Sequence, residues 1–197
     1  MNTAQPIRNK EDLAHIKEYY KVVKPNSRNY LLIIIGLNTA LRVSDIIRLR
    51  WDDVYDPQTG RCREHIALLE QKTGKTSVIF LNKVVKSALQ EYRQSLAEHT
   101  ISVLPQDYLF GSYGQGDAHI SRIQAFRIIR RAAEACGIEG VISCHSLRKT
   151  FGYHAWRQGV PPVMLMNIYN HSSFRVTMRY LGIEQDDRDK IFRNIEL

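Results

Sequence analysis

The feature that most constrains the fold of this chain is a run of seven residues without a polar side chain, Leu31–Leu37. The run is far shorter than the roughly 18 apolar residues that span a bilayer. It lies within a segment from about Arg28 to Thr39, and a helix that is apolar on all sides is buried rather than placed at a surface. We therefore expect this segment to be a helix that crosses the core of a folded domain.

Patterns on both sides of this segment predict a mainly α fold with a small antiparallel β-sheet. Two strand-like runs, Ile66–Leu69 and Ser77–Phe80, flank a turn that contains Gly74, which indicates a hairpin. Residues 1–8 are expected to be a flexible leader, and residues 9–197 one domain. Apolar periodicity, capping residues and helix breakers predict the other elements as helices. They are expected after Asn9 with Leu13, Ile16, Tyr20 and Val23 inward, after Arg42 with Ile46, Ile47 and Leu49 inward, over Lys83–Glu98 after the cap Asn82, from Ser121 to Gly137, over His145–Gln158, after Pro161, over Ser173–Leu181 and over Asp186–Asn194.

The charge balance favours a polyanionic partner. The 197 residues include 28 Lys and Arg against 20 Asp and Glu, which gives a net charge of +8 and a pI near 9.5. Arg is more frequent than Lys, and its planar guanidinium matches phosphate oxygens in pairs. A chain of this kind most often binds nucleic acid.

Several other chemistries lack their motifs. The three cysteines, Cys62, Cys136 and Cys144, form no CxxC pair and are expected to be reduced, partly buried thiols of a cytosolic protein. The first residues do not form a secretory signal. The sequence contains no HExxH, no P-loop and no GxSxG elbow. We therefore expect no metal, no cofactor and no membrane association.

A few polar residues stand out, although each has an ordinary structural explanation when it is taken alone. They are Arg42, Lys72 or Lys75, His145, Arg148, His171 and Tyr180. The HxxR pair of His145 and Arg148, for example, occurs a second time at His154 and Arg157. Such a pair is usually two neighbours on one helix face.

The order and spacing of the surrounding segments change this interpretation. Four boxes resemble those of the tyrosine recombinases, also called the phage integrase family, and together they cover about residues 9–185. Thr39–Val54 resembles the first box, Lys72–Lys75 the β-hairpin lysine, and His145–Phe151 the H-x-L-R-H-T-F box. Asn170–Ser173 and Thr177–Leu181 match the G-H-S-S and T-x-x-Y-x segment. The resemblance implies the catalytic-domain fold of that family over residues 9–197.

The resemblance also implies a reaction and a set of roles. Tyr180 would attack the scissile phosphate and form a 3′-phosphotyrosyl bond, which conserves the energy of the ester without ATP or metal. Arg42 and Arg148 would hold the phosphate oxygens, and His171 would add a hydrogen-bond donor. His145 would orient or relay protons. The general acid for the leaving 5′-hydroxyl would be Lys72, with Lys75 as the alternative, and Asp45 would brace Arg42.

Three positions depart from the family pattern. Lys149 stands where a second His is usual, Asp45 where Glu is commoner, and Tyr169-Asn170 where Leu-Gly usually precedes the histidine. This sequence contains no counterpart of the family's N-terminal helical clamp, so we expect either a short member, similar to the fimbrial phase-switch recombinases, or a chain from which the clamp was removed.

Without a clamp domain, a monomer is expected to bind DNA weakly. We therefore expect several copies, a tetramer, to assemble on double-stranded DNA through the C-terminal segment. The protein is expected to be encoded by a bacterium or a mobile element and to act on DNA in the bacterial cytoplasm. Two alternatives to site-specific recombination or integration remain, a type IB topoisomerase and a non-catalytic DNA-binding regulator. Four arginines of the helix after Ser121 are expected to contact phosphates: Arg122, Arg127, Arg130 and Arg131.

Overall fold

Nine α-helices and one two-stranded sheet build the part of the chain that the computed structural model describes, residues 4–112, 117–183 and 192–195. The predicted class, mainly α with a small antiparallel sheet, is confirmed. In chain order the elements are α1 Lys10–Glu18, a π-helical turn Tyr19–Val23, α2 Ser27–Asn38, α3 Val43–Ile46, α4 Trp51–Val54, β1 His65–Leu69, β2 Thr76–Phe80, α5 Lys83–Glu98, α6 Arg122–Ala135, α7 Cys144–Arg157, α8 Pro162–Tyr169 and α9 Phe174–Leu181.

Helix α2 is the central element, as its apolar run predicts. The five side chains Leu31–Ile35 are at most 1% exposed. Helices α5 and α7 both pack against α2. Each of these buried side chains stabilises the fold by about 1.5–3 kcal/mol. Gly36 lets α7 come close, because a Cβ at this position would lie only 2.6 Å from Cδ1 of Leu147.

Local capping signals place most helix starts where the sequence predicts them. The side chains of Asn9, Asn82 and Ser121 each accept a hydrogen bond from a backbone N–H in the first turn of α1, α5 and α6. Such a cap is worth about 1 kcal/mol, because it satisfies an N–H that has no partner within the helix. Gly137 ends α6 with a positive φ of 66°.

The predicted hairpin is confirmed and fixes one edge of the site. β1 pairs antiparallel with β2, with Leu69 opposite Thr76. Gly74 has a φ of +64° in the turn, a conformation that favours glycine. Ile66 is fully buried on the inner face of the sheet, whereas Leu69 and Val78 are exposed on the outer face.

Two expectations for the first helix and its leader are corrected. Val23 is not an inward residue but is 72% exposed, because the chain widens into a π-helical turn that buries Tyr19 and Tyr20 instead. Residues 4–8 are not a free leader: they lie across α7, and we call them the N-terminal strap. The Ile7 side chain is 2% exposed, and its N–H donates to Thr150 Oγ1 at 2.9 Å. A sequence pattern of local periodicity contains no signal for this long-range contact.

Two further predicted helices differ from the expectation in extent. The helix after Arg42, α3, is a single turn, yet Ile46, Ile47 and Leu49 are all buried as predicted. Most of the predicted helix Asp186–Asn194 lies outside the described residues; residues 192–194 are helical. The three cysteines are free and partly buried, as predicted.

Helices α8 and α9 pack against α7 at a glycine. A Cβ on Gly152 would lie 2.5 Å from the Tyr169 hydroxyl oxygen and 2.6 Å from Cδ2 of Leu181. The Tyr169 hydroxyl is itself fixed, because it donates to the backbone carbonyl of Arg148 at 2.6 Å. The Tyr169 hydroxyl is therefore held in place and cannot yield easily to an added methyl group.

We predict that Gly152→Ala destabilises the protein by about 1–2 kcal/mol, because overpacking outweighs the gain in helix propensity. Urea unfolding of the variant and the wild type measures the difference. Gly36→Ala is the companion variant, and its loss should be smaller because the end of the Leu147 side chain can rotate away. A Gly152→Ala protein as stable as the wild type would contradict the tight packing of α7 against α8 and α9.

Candidate functional site

A positively charged cavity of about 1020 Å³ opens between α3, the hairpin turn, α6 and α7. Its lining residues include five Arg and Lys side chains and, within the described part of the chain, no carboxylate. Five of the residues predicted from the sequence line it. The cations are Arg42, Arg48, Lys72, Arg122 and Arg148, and His145 lies among them.

The partner of Arg42 is a buried glutamate. Arg42 stands at the N-cap position of α3, and its Nη1 lies 2.5 Å from Oε2 of Glu70. The expected partner, Asp45, instead accepts the backbone N–H of Gln71 at 3.0 Å. This corrects the sequence-based assignment, in which Asp45 braces Arg42. The hairpin brings Glu70 back to the arginine across 28 residues of sequence, a contact that i, i+3 spacing cannot reveal.

Glu70 is a residue of the site that sequence reasoning missed. Its side chain is 3% exposed and accepts four hydrogen bonds, two on each oxygen. Burial raises the pKa of Glu70, but the hydrogen bonds from Ser77, Arg42 and Thr73 and the charge of Arg42 outweigh burial, so the pKa lies below its ordinary value. Glu70 is therefore an ionised anchor at the back of the site.

Arg148 is held by backbone carbonyls. The residue is 3% exposed on α7, and its guanidinium donates to the carbonyls of Ala40 and Tyr169. The guanidinium carbon also lies 4.6 Å from the centre of the Tyr169 ring. Burial and then the charge of Arg42 lower the pKa of Arg148. Two guanidinium groups that repel each other make this position favourable for an anion.

Tyr180 lies on α9 and contacts the two histidines of the site, His145 and His171. Its hydroxyl oxygen lies 3.5 Å from Nδ1 of His145, and its ring centre lies 5.2 Å from that of His171. Burial raises the pKa of Tyr180, and the charges of Arg148 and Arg42 oppose this rise without cancelling it. The phenol is therefore protonated at neutral pH and needs a proton acceptor before it can react.

The two histidines are neutral at pH 7. Removal from water, followed by the charges of Arg148 and its neighbouring cations, lowers the pKa of both His145 and His171 below the ordinary value of 6.5. Nδ1 of His171 lies 3.1 Å from Oγ1 of Thr177, which fixes the ring beside Tyr180. A neutral imidazole 3.5 Å from a phenol can accept its proton.

Lys149, the departure from the family pattern, also faces Tyr180. Its Nζ lies 5.0 Å from the centre of the Tyr180 ring and donates to the carbonyl of Ala4, in the N-terminal strap, at 2.7 Å. Burial lowers the pKa of Lys149. A cation over the ring of a tyrosine favours the phenolate over the phenol.

The structure distinguishes the two hairpin lysines by position. Lys72 lines the cavity together with Arg42 and Arg148, and its charge contributes to the lowered pKa of His145 and of His171. Lys75 lies beyond Gly74 on the far side of the turn, where its N–H contacts Thr73 Oγ1 at 3.4 Å. Lys72 is therefore the lysine that shares the cavity with the arginines.

The four arginines predicted to bind DNA do not share one surface. Arg122 lines the main cavity. Arg127 and Arg131 line a separate cavity of about 230 Å³ next to Arg28. Arg130 forms an ion pair with Glu134 one turn along α6, at 2.5 Å. Arg48, by contrast, lines the main cavity although no sequence pattern singled it out.

Two kinds of feature are absent from the described residues, a metal site and a membrane-spanning helix. No group of three or more His, Cys, Asp or Glu side chains in that part of the chain is arranged to hold a metal ion. Among the same residues, no helix has both the length and the hydrophobicity required to cross a bilayer.

We predict that Lys72→Met raises the pKa of His145 and of His171 towards 6.5, because the variant lacks one of the positive charges that disfavour the imidazolium forms. An NMR pH titration of the histidine ring signals measures both values. Lys75→Met is the matched control on the same turn and should leave both pKa values unchanged. Equal shifts in the two variants would show that Lys72 has no special position.

Comparison with known proteins agrees with this arrangement. The sequence model of the phage integrase family matches residues 9–186. The chain is 41% identical over 186 residues to a protein of Bacillus subtilis (strain 168) described as the probable integrase/recombinase YoeC, over 94% of this chain and 93% of that protein. It is 28% identical over 154 residues to the type 1 fimbriae regulatory protein FimE of Escherichia coli (strain K12), over 78% of this chain and 74% of FimE.

Longer relatives match over part of their length. A tyrosine recombinase of Pseudothermotoga lettingae is 28% identical over 176 residues, which cover 89% of this chain and 56% of that protein. The chain thus spans about half the length of this relative.

Solved structures show the same fold. The crystal structure of XerA recombinase aligns with 99% of this chain and 68% of its own, with a TM-score of 0.75 and 20% identity. XerH recombinase, in a post-cleavage complex with a palindromic difH substrate, aligns with 94% of this chain and 51% of its own, with a TM-score of 0.74 and 19% identity. The predicted catalytic-domain fold is confirmed. Because the family pattern extends through nearly the whole sequence and a relative matches over nearly all of both chains, this chain belongs to the phage integrase family.

Proposed function

We propose that this chain is a site-specific DNA recombinase that cleaves and rejoins DNA through a 3′-phosphotyrosyl intermediate. The observation that carries the proposal is the cavity in which Arg42, Lys72, His145 and Arg148 meet, with the Tyr180 hydroxyl 3.5 Å from His145. The relatives named as integrase, recombinase and tyrosine recombinase support the same reaction. The net charge of +8 supports a DNA partner.

The two arginines supply the electrostatic part of the mechanism. The scissile phosphate binds between Arg42 and Arg148, where mutual repulsion of the guanidinium groups is relieved by the anion. In the transition state, negative charge is spread over the nonbridging oxygens, and charged donors that are already in place stabilise it without reorganisation. Nδ1 of His171 contacts Oγ1 of Thr177, and His171 is a further donor from Nε2 in the tautomer that carries the ring proton there.

Proton transfer at the nucleophile falls to His145. The neutral ring accepts the Tyr180 proton while the phenol oxygen forms its bond to phosphorus in line with the leaving oxygen. Lys149 above the Tyr180 ring and Arg148 beside it favour the developing phenolate. The bond from phosphorus to the 5′-oxygen breaks in the same step.

The leaving group needs a proton, because a free alkoxide is a poor leaving group. Lys72 lies at the rim of the cavity on the hairpin turn and is the proposed general acid. The 5′-hydroxyl of the partner strand then attacks the phosphotyrosine and gives its proton to Lys72, and Tyr180 leaves with the proton that His145 returns; a phosphodiester is restored. Each step replaces one phosphoester bond with another, so that no energy-rich cofactor is consumed.

We also propose that residues 9–197, with the N-terminal strap packed against them, work as one catalytic domain in the bacterial cytoplasm, where several copies assemble on DNA as a tetramer. Phe192 is 79% exposed and Ile195 59% exposed in the C-terminal segment, which supports its docking on a neighbouring copy. Met164 and Ile168, exposed on α8, offer apolar surface of the kind such a segment would cover.

We predict that the wild type forms a covalent adduct with nicked duplex DNA and that Tyr180→Phe does not, because the variant lacks the nucleophilic oxygen. A library of nicked duplexes with a randomised site is incubated with each protein, and adducts are separated on a denaturing gel and sequenced. Tyr30→Phe, a tyrosine away from the cavity, should form the adduct normally. Absence of any wild-type adduct would favour a non-catalytic regulator of the same fold. Relaxation of supercoiled DNA without exchange between two recovered sites would favour a topoisomerase.

We predict that Arg148→Lys lowers the cleavage rate by about 100-fold or more, which corresponds to roughly 3 kcal/mol of transition-state stabilisation. A lysine is a point charge and cannot bind two carbonyls and a phosphate in one plane. Single-turnover cleavage of the recovered site measures the loss. Arg157→Lys, at the exposed end of α7, is the matched control. If both variants cleave at the wild-type rate, the proposed role of the Arg148 guanidinium is excluded.

A further inference from the structure

We propose that Glu70 is a positioning residue that holds the Lys72 turn, Arg42 and the loop before His171 in one arrangement; the inference rests on the function proposed above. Its carboxylate has one bond to each of four segments of the site. Oε2 accepts from Arg42 Nη1 at 2.5 Å and Thr73 Oγ1 at 2.9 Å. Oε1 accepts from Ser77 Oγ at 2.7 Å and Asn170 Nδ2 at 3.0 Å.

These four donors fill the hydrogen-bonding capacity of a carboxylate. Glu70 lies at the end of β1, only two residues before Lys72, and Thr73 and Ser77 hold the turn and β2 to the same group. The backbone of the turn adds support, since the N–H of Glu70 donates to the carbonyl of Lys75 at 2.9 Å and the N–H of Gly74 donates to the carbonyl of Glu70 at 2.9 Å. Glu70 therefore holds the turn that carries Lys72 in place, although much of the hairpin is exposed to solvent.

The hydrogen bond from Asn170 to Glu70 also helps to position His171. Asn170 ends α8 in the left-handed region, with a φ of 54°, and directly precedes His171. Asparagine tolerates this conformation better than most residues. Its side chain is then free to donate to Glu70, so that the position of the α8–α9 loop is tied to the hairpin across 100 residues of sequence.

A glutamine in place of Glu70 could not supply the negative charge that Arg42 requires. The Arg42 side chain is only 14% exposed and faces the like charge of Arg148, so it needs an anion when no phosphate is present. Glu70 supplies this anion through one guanidinium nitrogen, Nη1. The remaining guanidinium nitrogens of Arg42 stay available for phosphate oxygens. Glu70 thus orients Arg42 without reaching the substrate itself.

The test separates the contribution of the hairpin from that of Arg42 by changing the leaving group. Two duplexes carry the recovered site, one with an ordinary phosphodiester and one with sulfur in place of the 5′-bridging oxygen. In the second, the Tyr180 oxygen–phosphorus bond forms and the phosphorus–sulfur bond breaks, releasing a thiolate. Since a thiol has a pKa near 8.5, far below that of an alcohol, the thiolate leaves without a general acid.

Variants that loosen only the hairpin should resemble loss of Lys72. We expect Ser77→Ala with Thr73→Val to slow single-turnover cleavage of the ordinary duplex by about 100-fold, as expected for a group displaced by about 1 Å. The same double variant should cleave the sulfur-containing duplex at close to the wild-type rate, as Lys72→Ala should. Thr76→Val, at the exposed start of β2, is the matched control and should cleave both duplexes normally.

Glu70→Gln should be slow on both duplexes, because Arg42 also loses its anion, and Asn170→Ala should be slow on both because it releases the His171 loop. Thermal unfolding of each variant shows whether it is folded, and the sulfur rescue of the double variant is a readout that general destabilisation cannot produce. Wild-type rates for the double variant on both duplexes, or equal losses on both, would overturn the proposal. A wild type without any adduct on either duplex would instead overturn the proposed function.

Discussion

Repulsion between like charges is the constraint on which the rest of this site depends. The cavity collects five Arg and Lys side chains, and the positive charge of Arg42 adds to burial in lowering the pKa of Arg148. Such a cluster is stable only if neighbouring groups hold each cation in place. Glu70 does this for Arg42, and the carbonyls of Ala40 and Tyr169 do it for Arg148. The field that an incoming phosphate meets is thus assembled before binding.

Features of the fold with a local cause were predictable from the sequence. Asn82 and Ser121 cap α5 and α6 because a short polar side chain satisfies an N–H of the first turn, wherever the helix packs. Gly74 gives the hairpin its turn, and the apolar run of α2 is buried because no other location suits it. The order of the sequence boxes likewise singled out Arg42, His145, Arg148 and Tyr180, and their roles in catalysis stay predictions.

Features that depend on distant contacts were not predictable. Asp45 has the right spacing to pair with Arg42, yet the hairpin delivers Glu70 to that guanidinium, and Asp45 holds the backbone of Gln71 instead. The periodicity of α1 placed Val23 inward, but one π-helical turn changes the direction of its side chain. A partner elsewhere in the chain decided the first case, and a local widening of the helix decided the second.

The N-terminal strap has a practical consequence for how the protein is handled. Besides the contact of Ile7 with α7, Arg8 donates to the carbonyl of Gly182, the residue that ends the helix of Tyr180, at 3.2 Å. Ala4 also accepts from Lys149, which lies over the Tyr180 ring. A purification tag fused directly ahead of Ala4 would therefore lie close to the groups that position Tyr180, and it could displace them. Preparations with different tags are comparable only when a flexible spacer separates the tag from the strap.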